Sequence, residues 1–394
     1  MEAYTYYKNA LKNIPKPCLF LDNDMFRTNI RNILSASNNK NIRIASKSIR
    51  SVPVLKEILN ASSTFQGIMC YAADEAIYLN DNGLDDLLIA YPVWNTKYLK
   101  AIASRVMNKQ TITVMVDSIE HIEHLEMVAA ENNHQFLVCL DIDLSSEYPG
   151  LHFGVHRSPV KTVSHAVALI NRIEDSPYMK LDGIMGYEAQ IAGVTDNNPK
   201  QRMKNMVVRF LKNHSSKALK KKRQEIIDVI HEKQIELRFI NGGGTGSLHQ
   251  TATENVTEIT VGSGFFNSRL FDFYKDYSNL PALAYAIEIT RIPKKHIYTC
   301  AGGGYIASGA MGKDRMPHIY LPEGAYLTAN EGAGEVQTPI YYDGDIPLKH
   351  GDPIFLRHSK AGELCEHFHH IHLIKDGKII DTYKTYRGDY QCFL

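Results

Sequence analysis

Two hydrophobic patterns alternate along the first two-thirds of the chain. Short continuous apolar runs read as strands buried on both faces, and stretches with apolar residues every three or four positions read as amphipathic helices. Residues 17–22 form an opening strand, and residues 24–30 begin a helix. Residues 42–47 form the next strand and end in Lys47. The helix after it starts with Ser51 as N-cap and Pro53 in the first turn, and carries Val54, Leu55, Ile58 and Leu59 on one face. Strands then follow at 65–71, 87–92, 111–116, 136–141, 181–186, 237–241 and 258–262. Between them lie helices with Ala76, Ile77 and Leu79, at about 97–107, after the Asp117-Ser118 cap, and at 158–173.

Counted from the Lys47 strand there are eight strands, most of them separated by helices, which predicts a closed parallel α/β barrel. After residue 277 the runs 284–290, 318–321, 353–356 and 371–374 are spaced by Gly, Pro and Asp without long helical patterns. They predict an antiparallel β domain. The expected organisation is an α/β chain with a (β/α)8 TIM-type barrel over 15–277 and a C-terminal antiparallel β domain over 278–394. Residues 1–14 are expected to pack on the β domain.

A length of 394 residues suits a barrel plus a smaller domain. The formal charge of +1 gives no basic stripe for nucleic acid. The cluster Lys217, Lys220, Lys221, Lys222 and Arg223 reads as the solvated face of a long polar helix. No run approaches the roughly 20 apolar residues of a membrane span, and the first residues lack the pattern of a signal peptide. The six cysteines have no paired spacing, which fits reduced thiols in a cytoplasmic protein.

Lys47 is expected at the strand end where barrels build their active sites. Partial desolvation there would lower the ammonium pKa and free an amine to attack a carbonyl. Directly after the seventh strand comes Asn241-Gly242-Gly243-Gly244-Thr245-Gly246-Ser247, and the eighth ends in Gly262-Ser263-Gly264. Amides of Gly243, Gly244 and Gly246, with the hydroxyls of Thr245 and Ser247, and a second set of amides from Gly262, Ser263 and Gly264 are expected to form a phosphate cup where barrels commonly hold one. An amine and a phosphate cup in one barrel mouth suit an aldehyde cofactor carrying a phosphate, and pyridoxal 5'-phosphate is that molecule.

The motifs Arg43-Ile44-Ala45-Ser46-Lys47, Gly150-Leu151-His152-Phe153-Gly154-Val155, Gly242 to Ser247 and Gly262-Ser263-Gly264 resemble the fold-type III pyridoxal enzymes. Within that fold, Arg357-His358-Ser359-Lys360-Ala361-Gly362-Glu363-Leu364-Cys365 and Thr385-Tyr386-Arg387-Gly388 resemble the amino acid deaminase/aldolase group near D-threonine aldolase, D-serine dehydratase and alanine racemase. The resemblance implies that Lys47 carries the cofactor as a Schiff base. It sets His152 where relatives often have an arginine near the phenolic oxygen, and Tyr187 beside the pyridine ring. Asp141 and Asp143 are read as orienting neighbours or as capping the next loop. The resemblance also implies a homodimer with shared active sites, in which Tyr305 of the turn Ala301-Gly302-Gly303-Gly304-Tyr305 reaches the partner's cofactor. His358 matches a metal-ligating histidine that relatives follow two residues later with Cys or Asp. Here that position is Lys360. A divalent metal, Zn or Mn, would draw on His358 with Cys365, or on Glu363 or His367.

The implied activity is that of a lyase on D-β-hydroxy amino acids, an aldolase or dehydratase with Lys47, His358 and Tyr305 in catalysis. An amino acid racemase using Lys47 and Tyr305, a non-catalytic pyridoxal phosphate carrier, and a cofactor-free barrel aldolase remain alternatives.

Overall fold

The computed structural model describes residues 2–132, 134–310, 312–360 and 362–394. Eight parallel strands close the predicted barrel: Asn41–Ala45, Phe65–Cys70, Leu87–Pro92, Ile112–Val116, Phe136–Ile142, Met179–Gly186, Phe239–Gly242 and Glu258–Val261. Closure comes from the last strand pairing with the first, Glu258 opposite Asn41 and Val261 opposite Ile44.

The barrel interior is not wholly apolar. Leu88, Met115, Cys139, Met185 and Phe239 form one packed layer. Beside it Arg43 is fully buried, with Nε 2.6 Å from Glu258 and Nη1 3.0 Å from Asp86. The guanidinium lies over the Phe239 ring, so the buried charge is both paired and packed.

The opening strand, Cys18–Asp22, lies outside the barrel, contrary to the boundary at residue 15. It pairs antiparallel with Leu283–Lys294 and parallel with His370–Lys375, inside the nine-stranded sheet of the second domain. All five of its residues are buried, which an edge position could not provide. Helix Glu2–Ala10 packs on the same sheet through Tyr4, whose hydroxyl donates to the Pro353 carbonyl, and Tyr7, whose hydroxyl donates to Asp22. The chain then crosses to the barrel through helix Asn23–Ala36, capped by Asp22.

Four sheet strands fall where the sequence predicts them: Leu283–Lys294, His318–Leu321, Pro353–Arg357 and His370–Lys375. Ile297–Ala301, Tyr326–Leu327, Gln337–Tyr341 and Lys378–Lys384 add to them.

The long helix Arg202–Glu232 does not present all of its cations to solvent. Arg223 is buried and forms ion pairs with Glu188 and Glu254, which corrects the reading of its cluster as a solvated face. All six cysteines are free, and all but Cys392 are buried. Among the described residues, no helix is long and apolar enough to cross a membrane.

Candidate active site

The first barrel strand runs into a single turn, Ser46–Ser48, that carries Lys47. Ser46 donates to the Met69 carbonyl (3.0 Å), and Arg50, in a left-handed conformation, donates to the Lys47 carbonyl (3.0 Å). The Arg50 guanidinium also pairs with Glu366 of the β domain at 2.8 Å and covers the Tyr71 ring. Ser51 holds the N-cap position, but its hydroxyl donates to the Lys384 carbonyl instead of capping the helix. Gly362 lies so close that a Cβ there would be 2.6 Å from the Ser48 carbonyl oxygen and 2.8 Å from that of Lys47. Both domains therefore grip the backbone of this turn. The Lys47 side chain itself is exposed, so the expected desolvation is not provided by the chain around it.

The glycine turns meet this segment through neighbouring strands. A Cβ on Gly262 would lie 2.8 Å from Ser48 Oγ and 2.9 Å from Ala45 Cβ, and the Ser48 and Ser263 hydroxyls are 3.1 Å apart. Gly264 N–H donates to Thr245 Oγ1 at 3.1 Å, joining the eighth-strand turn to the seventh. The sequence groups Lys47 with these residues, and the fold puts them side by side.

The amides are distributed differently from the expectation. Gly243 N–H donates to Glu188 and Gly244 N–H to Ser247 Oγ, both at 3.0 Å, so these two amides and that of Gly264 already have acceptors. The donors left without an acceptor in their own turns are the first-turn amides of Thr245, Gly246 and Ser263. They belong to Thr245–Ser247 and Ser263–Phe266, which start side by side and can cradle an anion.

Tyr187 follows the sixth strand and lies on this cup. A Cβ on Gly244 would be 3.2 Å from its ring. Burial, reinforced by Glu188, pushes its hydroxyl up to about 12, so the phenol stays protonated.

Arg157 was missed by sequence reasoning. Its Nε pairs with Asp141 at 2.6 Å, its Nη2 donates to the Ala90 carbonyl at 2.6 Å, and its guanidinium covers the Tyr91 ring. Burial raises the Asp141 carboxyl to about 6 even though Arg157 opposes the shift. Asp143 instead caps its loop, accepting from Ser145 N–H and Oγ at 2.8 Å each. The available signal was an acid at the fifth strand end with an arginine in the following loop. His152 stacks on His156 in the hairpin Ser146–Tyr148 and Leu151–Phe153, and its Nδ1 lies 2.7 Å from Glu147. No hydrogen bond or ring contact ties it to the Lys47 turn or the glycine turns among the described residues.

His358 directly follows strand Pro353–Arg357 and is 4% exposed. Burial, helped by Arg357, depresses its pKa to about 3, so the imidazole is neutral, and its Nδ1 is buried without a partner. Tyr305 stacks on His367 with ring centroids 4.6 Å apart.

The donors do not fit the tentative metal site. With no ion bound, burial pushes the Cys365 thiol up to about 12. Glu363 accepts from Ser308, His367 lies under Tyr305, and Lys360 fills the position two after His358. Among the described residues, no three His, Cys, Asp or Glu side chains come together to hold an ion.

A family model described as the alanine racemase N-terminal domain matches residues 21–268. The chain belongs to this family. It is similar to the 3-hydroxy-D-aspartate aldolase of Paracoccus denitrificans (strain Pd 1222), at 26% identity over 258 residues. That match spans 64% of this chain and 60% of the relative's length. The fold is similar to the crystal structure of D-threonine aldolase from Filomicrobium marinum, with a TM-score of 0.79, 18% identity and 96% of each chain covered. D-threo-3-hydroxyaspartate dehydratase from Delftia sp. HT23 follows at a TM-score of 0.73 and 18% identity, with 95% of this chain and 98% of that chain covered.

Proposed function

We propose that this alanine racemase-family barrel is a pyridoxal phosphate-dependent lyase acting on D-β-hydroxy amino acids, an aldolase or a dehydratase. The observation that carries the reading is the contact of the Lys47 turn with Gly262 and Ser263, next to the Thr245 turn. It supplies an amine and an anion cradle to one ligand. When bound, pyridoxal phosphate offers an aldehyde to an amino group and a ring that accepts the electron pair released at Cα.

The chain's own residues do the rest. Lys47 would hold the cofactor through its amine, and the amides of Thr245, Gly246 and Ser263 would hold its phosphate. Tyr187, as a protonated phenol on the cup, orients the ring. Arg157, fixed by Asp141, stands at the mouth as a positive charge for an oxyanion. His358, neutral across the physiological range, takes a proton from the substrate, as does the Lys47 amine once released. Burial also keeps the Tyr305 phenol protonated, fitting it to act as an acid. We assign the protein to the cytoplasm as a homodimer in which Tyr305 serves the partner's site.

The test is incubation of the purified protein with D- and L-β-hydroxy amino acids, scoring aldehyde, keto acid and epimer together. Aldehyde or keto acid from the D-series supports the lyase. Epimer alone would make it a racemase, and a colourless protein would remove the cofactor.

A further inference from the structure

Around Lys47 the β domain contributes a loop that places a cation, Lys360, two residues after His358, where an ammonium cannot ligate a metal. Ser359 is pinned on two sides: its carbonyl accepts from Leu270 N–H at 3.0 Å, and its hydroxyl donates to the Asp314 carbonyl. Gly362 sits against the carbonyls of Lys47 and Ser48. Lys360 lies between these anchors, half-buried, with the cations Arg315 and Lys47 and the carboxylates Glu363 and Asp314 all acting on its charge. Among the described residues it has no hydrogen-bond or ion-pair partner. The nearby acids are engaged elsewhere, Glu363 with Ser308 and Asp314 beside Arg315. A half-buried ammonium that no carboxylate contacts among the described residues, near the lysine that would carry the cofactor, can donate to an anionic or oxyanionic ligand.

We propose that Lys360 supplies the positive charge at the substrate's β-oxygen that a divalent ion would otherwise provide, and that this pocket binds no divalent ion. The proposal rests on the lyase reading above. A fixed ammonium donates a charge-assisted hydrogen bond to the β-hydroxyl, which lowers the cost of negative charge on that oxygen. His358, two residues before it, then keeps its buried, unpartnered Nδ1 as the proton acceptor and is not a ligand. No proton leaves Lys360, so the β-hydroxyl proton passes to His358.

The experiment uses the cofactor-loaded full chain. Metal content is measured after equilibration with Mn2+ or Zn2+ and dialysis, and activity is measured on D-threonine before and after chelation. The wild type is expected to hold no stoichiometric ion and to keep its activity. Lys360→Gln is expected to lower kcat/KM on D-threonine by on the order of ten- to a hundredfold, the scale of one hydrogen bond to a charged group. Its binding of D-2-aminobutyrate, which lacks the β-oxygen, should stay unchanged. Lys360→Asp should instead gain Zn2+ binding in calorimetry. One ion per wild-type chain, or unchanged kinetics in Lys360→Gln, overturns the proposal. A colourless protein counts against the cofactor reading instead, and the metal measurement still reads out on it.

Discussion

The hydroxyls of Ser48 and Ser263 lie 3.1 Å apart, and this contact joins the two ends of the barrel sequence. One residue before Ser48 is the candidate attachment lysine. Ser263 opens the turn that offers an amide to an anion. Closure of the barrel between its first and eighth strands makes them neighbours, so the strength of the site depends on how closely the two turns approach.

Lys47→Ala should leave a folded, colourless protein, because the exposed side chain carries no packing. Turnover should fall by roughly 10^2- to 10^4-fold or more, since both the attachment point and a proton acceptor are removed. Visible absorbance after reconstitution checks this directly; a persistent yellow colour would rule Lys47 out.

Gly262→Ala tests the approach of the turns. The new Cβ would lie 2.8 Å from Ser48 Oγ and 2.9 Å from Ala45 Cβ, so the Lys47 turn must move away. Overpacking costs about 1–3 kcal/mol, and cofactor affinity in equilibrium dialysis should weaken by roughly five- to a hundredfold.

Arg157→Met removes the partner of a buried acid. Asp141 is 1% exposed, and its Oδ1 already lacks a partner. The single variant should lose about 3–5 kcal/mol of stability in urea unfolding. Adding Asp141→Asn should recover much of that loss. Additive losses would mean the two residues are independent.

Two buried groups give stability opposite dependences on pH. His358 binds a proton at about 3 in the fold, against 6.5 ordinarily, so the unfolded chain holds more protons in between. Its contribution is complete above pH 6.5 and is lost as the pH falls toward 3. Burial raises Glu75 to about 7 from 4.5, so its contribution is present below pH 4.5 and lost as the pH rises through 7. The Tyr386 hydroxyl and the Tyr71 N–H donate to this carboxyl, linking it to the C-terminal segment. Glu75→Gln should remove that loss, making the slope of unfolding free energy between pH 4.5 and 7 more positive by at most about 1.4 kcal/mol per pH unit. Parallel profiles for variant and wild type would reject this assignment.

The barrel was legible because burial on both faces leaves a continuous apolar run for each parallel strand, and the amphipathic helices mark the gaps. Lys47, the two glycine turns and their grouping followed from their order along those strands, as did the four sheet strands with the clearest runs. The sheet position of Cys18–Asp22 was not legible. Its five buried residues look the same in a barrel as in a sheet, and only pairing with strands more than 250 positions away decides between them. Nor could spacing tell that Arg223 is buried and Arg157 partly so, because charge burial depends on partners such as Asp141, Glu188 and Glu254 that the fold brings in. Local sequence thus determined which elements form and which residues end them. Tertiary structure decided which amides stay free, which acids are paired and which lysine has no ion-pair contact among the described residues, because hydrogen-bond and charge partners are set by distance in space.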